Sequence, residues 1–137
     1  MSRYIPEELR RLVAVRANYR CEYCRLRELY SFFSFQMEHI VSLKHGGKTV
    51  VENLALACQI CNNNKGSDIA TFLKDISNPI RFFNPHTDAW KEHFEADASG
   101  LILPKTNIGE GTIKILNLNH FESIIERKEM ILRNIFD

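Results

Sequence analysis

The sequence has no hydrophobic run long enough to cross a bilayer. Its apolar runs, such as Leu54–Cys58, are far short of the roughly 20 residues a membrane span needs. The opening stretch Met1–Arg11 is charged, contains Pro6 and lacks the apolar segment of a secretory leader. Low-complexity tracts and internal repeats are missing as well. These absences give a cytoplasmic protein as the expectation. In that compartment disulfides are rare, so the four cysteines are expected as thiols or metal ligands. Net charge is also small, at +1. That excludes a polycation that would hold nucleic acid by bulk charge alone.

What is present is ordinary for a folded domain: 137 residues, 45% hydrophobic and 26% charged. We expect a single domain over residues 1–137, with a core at 21–76 and an extension at 77–137 packed on it. Charge is unevenly placed. Residues 1–66 carry 10 Lys and Arg against 6 Asp and Glu, whereas residues 67–137 carry 8 against 11. Only the first part is suited to phosphate, with modest and salt-sensitive affinity.

Two Cys-x-x-Cys pairs, Cys21/Cys24 and Cys58/Cys61, are the most specific feature. The two-residue spacer lets both thiolates of a pair turn back onto one ion, and four thiolates make a closed tetrahedral zinc site with no open position for chemistry. The zinc is therefore expected to be structural. Between the pairs lie Glu38-His39-Ile40, the turn Lys44-His45-Gly46-Gly47-Lys48, and Asn53 ahead of an apolar run. Residues 36–43 and 54–58 read as strands. Asn62, Asn63 and Asn64 offer helix caps, and Ile69, Phe72, Leu73 and Ile76 recur at helical spacing, so an amphipathic helix is expected over 62–76. The sum is a strand–loop–strand–helix unit clamped by zinc.

These residues resemble the HNH endonuclease family, whose core is the ββα-metal, or His-Me finger, unit. The matching pieces are the Cys-x-x-Cys pairs, Glu38-His39-Ile40, Gly46-Gly47, Asn53-Leu54 and Cys58–Lys65. The flanks, Ile5–Cys24 and Phe83–Phe94, resemble a bacterial subgroup of that family. Two positions depart from the commonest pattern: Glu38 stands where Asp is more frequent, and Asn62 where His is. The implied fold class is α+β, a ββα-metal core stapled by a four-cysteine zinc site with flanking helices. The implied activity is metal-dependent cleavage of DNA.

The residue chemistry agrees with that implication. Glu38 and Asn62 offer hard oxygen atoms suited to Mg²⁺ or Mn²⁺, and the resemblance implies the same pair as ligands. His39 is then the general base, since an imidazole is neutral and basic near physiological pH. The resemblance gives Asn53 the task of holding the loop around His39, although an Asn here is also an ordinary turn residue. Glu38 and His39 are neighbours, and on a regular strand they point to opposite faces. Both serve one site only if the strand ends or bulges there.

Outside the core, residues 6–18 read as a helix with Pro6 at its start. Its arginines Arg10, Arg11 and Arg16 are candidate phosphate contacts, as are Lys44, Lys48 and Lys65, or else they form solvated faces. Phe32, Phe33 and Phe35 are expected in the core rather than as a platform for bases. His86, Asp88 and His93 have no distinctive metal spacing. Residues 119–136 read as a helix capped by Asn119, with Phe121, Ile124, Ile125, Ile131, Leu132 and Ile135 inward and Arg127 outward. Two functional alternatives stay open: a non-catalytic zinc ribbon that binds nucleic acid, and an RNA nuclease using the same site.

Overall fold

The computed structural model describes residues 4–137; residues 1–3 lie outside the described part. The first helix, α1 (Glu7–Arg16), follows Pro6, whose φ of −56° leads into the helical conformation. Glu7 and Glu8 sit at the positive end of its dipole and Arg16 at the negative end. Val13 and Ala14 face inward and pack with Ile5 and Ala17 on Leu54 and Leu56. Arg10 and Arg11 are exposed. Asn18 and Tyr19, both with positive φ, then reverse the chain into the first cysteine pair.

The central unit is a hairpin and a helix. Strands β1 (Gln36–His39) and β2 (Leu54–Ala57) pair antiparallel, with Glu38 opposite Ala55 and His39 opposite Leu54. β1 stops at His39 instead of running to residue 43, and the chain bends into the loop 40–53. Helix α2 (Gln59–Lys65) begins at the second cysteine pair, three residues earlier than the asparagines suggested. Cys58 is its N-cap, accepting from the Cys61 N–H. The helix ends at Gly66 (φ 53°), so the expected helix over 62–76 is not formed. The helical spacing of Ile69, Phe72 and Ile76 does not mark a buried face: all three are exposed. Residues in that stretch instead give the short strand β3 (Ala70–Thr71), which pairs with β4 (Ile80–Arg81).

The C-terminal half adds α3 (Trp90–His93), the hairpin β5 (Phe94–Ala96) and β6 (Ile102–Pro104), α4 (Asn107–Leu116) and α5 (Phe121–Leu132). Its aromatic residues pack on the cysteine end of the hairpin: Phe83, Trp90 and Phe94 form one cluster with Tyr23, Leu26 and the four cysteines. The Trp90 indole N–H donates to the Tyr23 carbonyl at 2.8 Å, which satisfies its one buried donor.

Three expectations for flanking residues are corrected. Phe32 and Phe33 are 93% and 60% exposed, and only Phe35 packs inward. Asn119 does not cap α5; His120 accepts the Glu122 N–H, while Asn119 pairs with both backbone groups of Ile102. Arg127 points in rather than out. It is fully buried, and its guanidinium donates to the carbonyls of Gly100, Cys24 and Leu118. That inward turn rotates α5, leaving Phe121, Ile125 and Leu132 facing solvent. The arginine fork binds three backbone oxygens from separate segments, which no aliphatic side chain there could do.

Candidate active site

The four cysteine sulfurs lie within 4.8 Å of one another, and all four residues are buried. Four sulfurs at the corners of a tetrahedral zinc site stand ~3.8 Å apart, given a Zn–S bond of about 2.3 Å; Cys24 Sγ and Cys58 Sγ are 3.6 Å apart. Each pair is shaped as a knuckle: the Cys24 N–H reaches Cys21 Sγ, and the Cys61 N–H reaches Cys58 Sγ, both at 3.5 Å. The crowded thiols drive one another apart in acidity. Neighbouring sulfurs push the Cys24 and Cys61 thiols up and pull Cys58 down. Four thiolates together therefore need a cation among them, and the cluster fits structural zinc. His86, Asp88 and His93 do not join a second cluster among the described residues. Asp88 pairs with Arg81, and His93 bonds Thr106.

A cleft of about 540 Å³ is lined by Glu38, His39, Asn62, Arg10, Lys44 and Ser42, among others. Glu38 and His39 share it at the end of β1, where the strand gives way to the loop. The loop is closed by Asn53. Its side-chain oxygen accepts the Val41 N–H at 2.9 Å, and its amide donates to the Val41 and Lys48 carbonyls. The adjoining turn requires both glycines. Gly46 has φ 90°, a conformation that side chains strain to adopt. A Cβ on Gly47 would overlap the Val41 carbonyl and stand 2.8 Å from Asn53 Nδ2. Asn53 thus fixes the bend that the turn begins.

Glu38 is 4% exposed, and burial pushes its carboxyl up to about 7, against the opposing pull of Lys65. Its Oε1 meets Lys65 Nζ at 2.8 Å and accepts from the Tyr23 hydroxyl at 3.1 Å. Its Oε2 is buried with no hydrogen-bond partner. An orphaned carboxylate oxygen beside an open cleft is the donor a hard cation would use. Asn62 donates its amide N–H to Gln36 Oε1 at 2.7 Å, which orients the side-chain oxygen of Asn62 by fixing its nitrogen. His39 Nε2 lies 2.9 Å from Thr49 Oγ1. Such a contact holds the ring in one orientation.

The expected phosphate contacts divide. Arg10 and Lys44 are exposed and line the cleft. Arg11 and Lys48 are exposed but lie outside that lining. Arg16 is occupied: it pairs with Glu22 at 3.2 Å and donates to the Val51 carbonyl, docking α1 onto the hairpin. Lys65 is the clear correction. It is 2% exposed and is bound to Glu38, so it is not a surface contact for phosphate. Thr49, Gln36 and Tyr23 were missed by sequence reasoning. Each is a common residue type with no spacing signal of its own, and only the folded hairpin brings it to Glu38, His39 or Asn62.

Residues 21–68 match the model of the HNH endonuclease family. No curated protein matches the chain. No helix among the described residues is long and apolar enough to cross a membrane.

Proposed function

We propose, from the HNH endonuclease domain that residues 21–68 carry, that this protein is a metal-dependent nuclease hydrolysing the phosphodiester bonds of DNA. The observation that carries this reading is the meeting of Glu38, His39 and Asn62 in one cleft, although two of them are adjacent on a strand. A module that only bound nucleic acid would have no use for a base beside two hard oxygen donors.

In this reading His39 takes a proton from the attacking water. The water oxygen bonds to phosphorus as the bond from phosphorus to the leaving ester oxygen breaks. Thr49 keeps the imidazole in the orientation that accepts that proton. Glu38 Oε2 and the Asn62 side-chain oxygen would hold Mg²⁺ or Mn²⁺. When bound, such a cation offsets the charge that builds on the phosphate and the leaving oxygen. Two protein ligands leave room for water and a phosphate oxygen. Arg10 and Lys44, on the rim, neutralise flanking phosphates. The cysteine cluster takes no part in the reaction; it holds α2, and therefore Asn62, against the hairpin.

Supercoiled plasmid incubated with Mg²⁺ tests the reading, with His39→Ala protein and a structured RNA alongside. Nicking by the wild type and none by the variant is the expected result. Equal nicking by both would leave a zinc ribbon with a contaminating nuclease as the better account. Cleavage of RNA in place of plasmid would keep the site and change the substrate.

A further inference from the structure

We propose that Lys65, seconded by Tyr23, is a positioning residue that fixes the end of β1 and so sets Glu38 and His39 relative to each other. The inference rests on the nuclease reading for its catalytic consequence but on geometry for its substance.

A lysine is almost never fully buried unless it is paired. An ammonium has three N–H donors and no acceptor. Here the acceptors are Glu38 Oε1 at 2.8 Å, the Ile40 carbonyl at 2.9 Å and the His39 carbonyl at 3.4 Å. They belong to three successive residues: the side chain of one and the backbone of the next two. In a continuing strand, successive carbonyls point to opposite sides. Both reach one nitrogen because β1 ends at His39 and the chain leaves the ladder at Ile40, beside the two residues that line the cleft. Lys65 therefore holds the end of β1, where Glu38 and His39 stand.

The same contacts divide the Glu38 carboxylate. Lys65 and the Tyr23 hydroxyl both bond Oε1, and Oε2 is left without a partner. Lys65 is also the last residue of α2, the helix that carries Asn62 and Cys61. One side chain thus links the helix bearing one proposed cation ligand to the strand bearing the other. Asn53 secures the far side of the bend, from Val41 to Lys48; Lys65 secures the near side.

The test compares full-length wild type, Lys65→Met and Tyr23→Phe. Mn²⁺ binding is read by electron paramagnetic resonance of the free ion without DNA, His39 ring resonances by NMR, zinc by elemental analysis, and plasmid nicking at saturating metal. Lys65→Met is expected to keep its zinc and its KM for DNA, to shift the His39 resonances, and to lose roughly 10–100-fold in Mn²⁺ affinity and in kcat, as when a partner behind a metal ligand is removed. Tyr23→Phe keeps the ring and removes one bond to Glu38. It should weaken Mn²⁺ binding less and leave the His39 resonances in place, and it decides the matter if Lys65→Met does not fold. Mn²⁺ affinity and kcat unchanged in the folded variants would overturn the inference. If the wild type binds Mn²⁺ but cuts nothing, while Lys65→Met loses the ion, the positioning role stands and the nuclease reading falls. If the wild type cuts and every variant matches it, the nuclease reading stands and the positioning role falls.

Discussion

The hairpin of β1 and β2 serves two sites of opposite character. At its Ala57 end, where β2 leads into Cys58, four thiols are buried and face one another, closed off by Phe83, Trp90 and Phe94. At its His39 end, a carboxylate, an imidazole and an amide line an open cleft. Soft, uniform ligands saturate an ion and leave it inert. Hard, unlike donors with room between them leave coordination positions for water and phosphate. In the proposed reading the difference separates stability from chemistry: the closed site would fix the frame, and the open one would carry the reaction.

The strongest way to break this comparison is Cys58→Ser. Apparent zinc binding in such sites is on the order of 10–16 kcal/mol, and it is folding free energy. The variant should lose zinc and cooperative unfolding together, read by elemental analysis and near-ultraviolet circular dichroism. Natively purified wild type without zinc would end the structural-zinc assignment.

Next in size is His39→Ala. It should lower plasmid nicking by roughly 10²–10⁴-fold, the usual share of a general base. Zinc content and DNA affinity should stay unchanged, because neither depends on the imidazole. A variant that lost zinc as well would show that the two sites are not separable.

The third effect sharpens the open site. Brief EDTA treatment should stop cleavage before zinc leaves, and Mg²⁺ should restore it. Glu38→Ala and Asn62→Ala should each raise the Mg²⁺ needed for half-maximal rate. The pH dependence has a definite sign. Burial holds the Glu38 carboxyl at about 7, so below that pH it is the neutral acid, a poor cation ligand. The rate should therefore fall as pH drops through about 7. Proton and cation compete for the same oxygens, so more Mg²⁺ should carry this limb to lower pH. An acid limb that ignored Mg²⁺ would be assigned to His39 instead.

The smallest effect concerns the rim. Each neutralised duplex phosphate adds about 0.9 to the magnitude of the log–log salt slope of binding. Reversing Arg10 and Lys44 should lower that slope by up to about twice this amount. Reversing Lys114 and Lys128, in the acidic half, should leave it alone. Equal effects from both pairs would contradict the layout.

Much of the site was legible because zinc knuckles and tight turns constrain spacing along the chain. Cys21, Cys24, Cys58 and Cys61 meet as their two-residue spacers imply, and Gly46-Gly47 and Asn53 sit where a bend needs them. What was not legible depends on burial of charge. Lys65 and Arg127 read as surface residues because cations usually are, and only tertiary carbonyl acceptors turn them inward. The helix expected over 62–76 failed for a related reason. The knuckle sets the start of α2 at Cys58, and Gly66 ends it, so local apolar spacing beyond that point had nothing to cover.

Arg127 also holds together parts of the chain that lie far apart in sequence. Its guanidinium is desolvated and is bonded to the carbonyls of Cys24, Gly100 and Leu118. Such a cation finds these partners only where the three segments meet. A lone buried charge without them costs several kcal/mol. Arg127 is therefore a latch: one side chain ties α5 to the first knuckle at Cys24 and to the β5–β6 connection at Gly100.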